Sequence, residues 1–210
     1  MNTETGEHLN RVERAIQEAK RLLAEHGYPD TPRTVVVVGL IDQMIEHHEA
    51  TLLLIRNGKI GSAFALERSI FESAYRGLWI NFCATDAEIQ RFEQHDELRL
   101  GMTEMARAID ANYRAYGFFE DLKDRAWSAL CSYTHTGMLQ LGRRFTGRDA
   151  MPSYSDEEIF EAATAVTTCI LLLVGKFLAV QNHDDDCRAV EALIETYGPA
   201  AQRKAKLGTR

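Results

Sequence analysis

Thr31-Pro-Arg-Thr-Val-Val-Val-Val-Gly-Leu-Ile-Asp-Gln-Met44 is the stretch on which the fold turns. Four consecutive valines, Val35 to Val38, favour a strand, because β-branched side chains crowd a helix and suit a pleat. Their surroundings favour a helix. Thr31 followed by Pro32 is an N-cap with proline in the first turn, where the missing N–H is no loss. The apolar spacing then continues at a helical period through Leu40, Ile41, Met44, Ile45, Leu52 and Ile55. The stretch therefore reads as a helix over residues 32–55, closed by Asn57-Gly58.

Outward from it, no proline interrupts the chain between Pro32 and Pro152, which leaves long helices free to propagate. A first helix is expected over residues 7–26, where Leu9, Val12, Ile16, Ala19 and Leu23 repeat at helical spacing before Gly27. A third follows over 60–83. Thr85-x-x-Glu88 has the form of a capping box and opens a fourth over 85–112, and a fifth covers 119–133 and stops near Gly137. Residues 142–153 read as a loop. Ser155-x-x-Glu158 is a second capping box and launches a long apolar helix to Val180, after which residues 184–197 close the fold. The expectation is an all-α bundle of about seven helices around one long apolar central helix. It forms a single domain over residues 1–200, with a basic tail at 201–210 carrying Arg203, Lys204, Lys206 and Arg210.

Composition agrees with a cored domain. The chain has 210 residues, 45% of them hydrophobic, so it can offset its ordering entropy. With 24 Lys+Arg against 31 Asp+Glu, its formal charge of −7 repels phosphate backbones and argues against a nucleic-acid coat protein. The polar amino terminus lacks the pattern of a secretory signal, and Cys83, Cys131, Cys169 and Cys187 form no C-x-x-C pair. Both features predict a cytoplasmic chain with four unpaired thiols. Residues 162–180 are long enough for a bilayer, yet Lys176 lies inside and the flanks are acidic, so no membrane is expected and the segment reads as a buried core helix.

Several chemistries lack their motif. Gly142-Arg-Arg-Phe-Thr-Gly147 continues with Arg148-Asp149 where a phosphate loop needs Lys and a hydroxyl, and His48-Glu49 is followed at position 52 by Leu instead of a zinc protease's second histidine. No G-x-S-x-G elbow is present. Glu46, His47, His48 and Glu49 diverge around a helix, and the acids of His183-Asp-Asp-Asp186-Cys187 are explained by the helix dipole, so no metal or cofactor is expected.

The polar groups that remain are few. His48 and His135 lie on apolar stripes, either as core imidazoles satisfied by one hydrogen bond or as acid/base groups in an interhelical pocket. Arg68, Glu72 and Arg76 recur every four residues, interleaved with Gly61, Ala65, Ser69 and Ser73. That pattern suits a solvated ion-pair ladder or a close dimer seam. The candidate catalytic set is His135, Arg68, Glu72 and His48. Arg143, Arg144 and Arg148, with Phe145 between them, are the candidate phosphate-binding residues, set against the plainer reading of a solvated arginine loop.

Arg68-Ser-Ile-Phe-Glu72 on a long helix, followed downstream by Ser132-Tyr-Thr-His135, resembles uncharacterised bacterial helical families over residues 35–180. More distantly it resembles the HEPN group of helical proteins, many of them metal-independent ribonucleases of toxin and defence systems. Their arginine-to-histidine spacing is met here at Arg21 and His26. Two functions follow as expectations. The first is an interaction or regulatory module that associates with itself or with a protein partner. The second, implied by the resemblance, is an RNA-cleaving enzyme with His135 as acid/base, positioned by Arg68 and Glu72.

Overall fold

A computed structural model describes residues 1–198. Pro199 and the basic tail at 201–210 lie outside the described residues. Those described form an all-helical protein with no strand. The helices are α1 (Thr3–Ala24), α2 (Pro32–Arg56), α3 (Ile60–Phe82), α4 (Asp86–His95), α5 (Met102–Tyr113), α6 (Phe118–Thr134), α7 (Met138–Gly142), α8 (Asp156–Val180) and α9 (Asp184–Tyr197).

The valine run is helical. Val37 is fully enclosed while Val35 and Val38, three residues apart, are exposed, which is the spacing of a helical face. Thr31 caps α2 as its sequence suggests, accepting a hydrogen bond from the Thr34 amide at 3.2 Å. Burial of Val37, Ile41, Met44 and Ile45 against the rest of the core outweighs the branched side chains' weak strand preference.

Among the described residues nine helices stand where about seven were expected, for two local reasons. The segment expected as one helix over 85–112 divides because Asp96 turns left-handed (φ 52°) at the end of α4. Gly101 then opens α5, its N–H donating to Glu104 Oε2 at 2.8 Å. The second addition is the short α7, which fills the gap between the expected stop near Gly137 and the loop expected over 142–153. α1 also starts earlier than expected, because Asn2 accepts from the Thr5 amide at 2.8 Å.

α8 runs through the middle, packed on α1, α2, α3 and α9. By length and composition it could cross a membrane, but 61% of its most apolar window is buried inside the bundle. Its hydroxyls explain how an apolar helix tolerates them there. Thr164 donates to the Phe160 carbonyl and Thr167 to that of Ala163, and each oxygen in turn accepts from an imidazole, His8 at 2.9 Å and His48 at 3.0 Å. Two buried polar groups from α1 and α2 thus find their partners on α8. α3 approaches α8 closely at Gly77, where a Cβ would stand 2.4 Å from Leu173 Cδ2. α6 has no side-chain cap of its own at Gly117. Asp110 of α5 replaces it by accepting from the Phe119 and Glu120 amides, both at 3.0 Å. The four cysteines are free thiols.

Candidate functional site

The Ser132-Tyr-Thr-His135 segment closes α6, and each of its side chains has a separate task. Ser132 Oγ accepts from the Leu139 amide at 3.1 Å and so starts α7. Tyr133 packs edge-on against Phe64 of α3, ring centroids 5.3 Å apart. Thr134 donates to the Ala65 carbonyl of α3 at 3.3 Å, and beyond the turn Gln140 reaches the Gly61 carbonyl. His135, at the C-cap, is left facing α3. The reversal behind it needs a glycine, since a Cβ on Gly137 would lie 2.3 Å from Ser132 Oγ and 2.9 Å from its Cα.

Opposite His135 stands Arg68. Its Nη1 donates to His135 Nε2, its Nε donates to Glu72 Oε1 at 2.6 Å, and its guanidinium lies over the Trp127 ring at 4.8 Å. Arg76 extends the ladder, 3.5 Å from the other oxygen of Glu72. Three of the four candidate catalytic residues, Arg68, Glu72 and His135, therefore meet. For Nε2 to accept from Arg68, a ring proton must sit on Nδ1. His135 is exposed, while the Arg68 and Glu72 side chains are 20% and 21% exposed. The Arg68 guanidinium is thus fixed on three sides at a place that solvent and a partner can reach. A planar cation held between a carboxylate and an indole presents its remaining N–H edge for an acceptor, and the adjacent imidazole can move a proton.

His48 does not join them. Its Nε2 turns inward to Thr167 and the residue is 1% exposed. Burial holds its pKa down at about 4, so it stays neutral at pH 7, and it is shut away from solvent. The structure gives it the core role that its place on the apolar stripe of α2 also allowed.

The arginine loop does not form a common anion cradle. Arg143 pairs with Glu158 of α8 and reaches the Ser153 carbonyl, Arg144 lies against Gly61 beside Tyr154, and Arg148 is exposed. The groove next to Arg143 is walled by Glu157, Glu158 and Glu161, a lining that repels phosphate.

Two residues absent from the sequence reading border the site. Trp127 lies two helical turns before His135 on the same face of α6, and that eight-residue spacing is the signal that could have found it. Glu67, next to Arg68 but turned inward, has a fully covered Oε1 without a hydrogen-bond partner, and burial pushes its pKa up to about 8.

A family model described as "Family of unknown function (DUF6988)" matches residues 41–201, a span that contains Arg68, Glu72, Trp127 and His135. No curated protein and no solved structure matches the chain.

Proposed function

We propose, for a chain that belongs to this family of unknown function, that it is a cytosolic helical-bundle interaction module that pairs with a second copy of itself across the α6–α7 end of the bundle. The observation that carries the reading is the segment just beyond His135. Met138, Leu139, Leu141, Phe145 and Met151 are 78%, 51%, 45%, 54% and 60% exposed. Five large apolar side chains facing water in one short segment mark a surface that gains by being covered. The ladder of Arg68, Glu72 and Arg76 beside it carries both signs of charge. Both signs are what a twofold seam needs to be complementary to itself. The Arg68–Glu72 pair then orders the seam, and His135 lies at its border.

Sedimentation of the full chain is expected to give a dimer. Leu139→Asp, at an exposed position that the core does not use, is expected to weaken association at least about tenfold. A wild-type protein that stays a monodisperse monomer at high concentration would remove the proposal.

A second reading is favoured by the exposed contact between Arg68 and His135, which places a proton-transfer group beside a cation. On that reading the protein cleaves RNA without metal, with His135 as acid/base and Arg68 holding the phosphate. Cleavage by the purified chain in the presence of chelator should vanish in His135→Ala while far-ultraviolet dichroism is unchanged. If no tested RNA is cut, this second reading falls and the association proposal is unaffected.

A further inference from the structure

At the end of the bundle where α1 finishes and α9 begins, three potential ligands meet that lie far apart in the sequence. α1 closes after Ala24, and the chain turns back so that the Tyr28 hydroxyl donates to the Leu23 carbonyl at 2.8 Å. The Tyr28 ring packs edge-on against Phe177 of α8, 4.9 Å between centroids. This anchored turn carries His26 onto the first turn of α9. There its ring stacks on His183, centroids 3.6 Å apart and planes 18° from parallel, and its Nε2 bonds to Asp186 Oδ2. Tyr28 meets both imidazoles edge-on and limits their freedom.

We infer that His26, His183 and Asp186 form a binding site for a divalent transition-metal ion of the zinc type. One ligand atom from each lies within 4.8 Å of the other two, and all three residues are half-buried. The His183 ring forms no hydrogen bond among the described residues. It is held by stacking alone, with its nitrogens available beside a carboxylate. Two imidazole nitrogens and one carboxylate oxygen match a three-ligand zinc site with a fourth position left for water. Magnesium and calcium prefer all-oxygen sets and do not match.

The electrostatics allow a cation here. The positive end of α9 amounts to about half an elementary charge, and Asp184, Asp185 and Asp186 in the first turn outweigh it. Zinc bonds of about 2.0–2.1 Å set tetrahedral donors roughly 3.3 Å apart, so His26 Nε2 and Asp186 Oδ2, now hydrogen-bonded to each other, must part to admit the ion, and any more distant donor must approach.

Bound there, the ion joins positions 160 residues apart and clips the end of α1 to the start of α9. This differs from the association surface, which lies on α7, the loop after it and the neighbouring face of α3. His183 and Asp186 stand out along the chain as ligand types, but the helix dipole is a sufficient local reason for the acids there, and His26, isolated at the end of its helix, shows no tie to them until the fold brings the three together.

The test is calorimetric titration of the chelator-stripped full chain with zinc chloride, and with magnesium chloride as the control. One zinc per chain, no magnesium binding and a melting temperature raised by zinc are expected. His183→Ala and the near-isosteric Asp186→Asn should each weaken zinc binding at least about tenfold while dichroism shows the helices intact. Absence of zinc binding by the wild-type chain, or unchanged affinity in either folded variant, overturns the site.

Discussion

Folding stability is expected to peak near pH 6.5 and to fall on both sides. Burial lowers both His8 and His48 from the ordinary 6.5 to about 4. Between those values the unfolded chain binds protons that the folded chain refuses, so stability is complete above pH 6.5 and drains away as the pH drops towards 4. Each tenfold difference in proton affinity is worth about 1.4 kcal/mol, which puts the loss on the order of 3 kcal/mol per histidine.

Glu67 acts with the opposite sign. Its carboxyl, raised from 4.5 to about 8, holds a proton when folded that the unfolded chain releases. Its contribution is therefore whole below pH 4.5 and is lost as pH rises through 8. Between 4.5 and 6.5 the two histidines outweigh one glutamate. Above 6.5 the two histidines no longer contribute, and about 2 kcal/mol should disappear by pH 8 through Glu67. Urea denaturation at pH 4.5, 6.5 and 8.5 reads the profile. Glu67→Gln should flatten the alkaline side, and His48→Gln, which keeps an N–H for Thr167, should lessen the acid fall. Equal stability at pH 4.5 and 6.5 would contradict the burial of both imidazoles.

Phe177→Ala is expected to cost about 3–5 kcal/mol, the most of any single truncation discussed, because the ring is completely enclosed in the helix around which the bundle is built. Its loss would leave a cavity against Tyr28, whose own edge-on contact would go with it. Phe177→Leu, which keeps most of the volume, should cost less than about 1.5 kcal/mol. The shift of the urea midpoint at constant slope measures both. A change under about 1 kcal/mol for the alanine variant would mean that α8 is not packed as described.

Those costs follow from burial patterns that the sequence carries openly. The helical identity of the valine run could be read from Thr31, Pro32 and the repeat beyond them, because caps and periodicity are local. The central position of α8 could be read from its uniform hydrophobicity, and the Arg68–Glu72 pair from its four-residue spacing. Tertiary partners were less legible. His48 reads equally well as catalytic or structural until Thr167 of a helix more than a hundred residues away is seen beneath it. His135 meets Arg68 only because Thr134 and Gln140 bind carbonyls of α3, and Trp127 became relevant only once that contact existed. The break at 96–101 lies in a stretch whose leucines, Leu98 and Leu100, are spaced too closely to mark a helix end. A left-handed aspartate there is invisible to periodicity.

The attachment of α1 has a consequence for how the protein is made. α1 packs chiefly on α8 and α9, and its His8 awaits a hydroxyl on α8. While the ribosome is still producing the intervening helices, the first one has its greasy stripe uncovered and its histidine unaccompanied. At about 5–20 residues per second the wait is on the order of ten seconds. α1 therefore takes its final place only after α8 has emerged, and its apolar stripe stays without the surface it packs on until then.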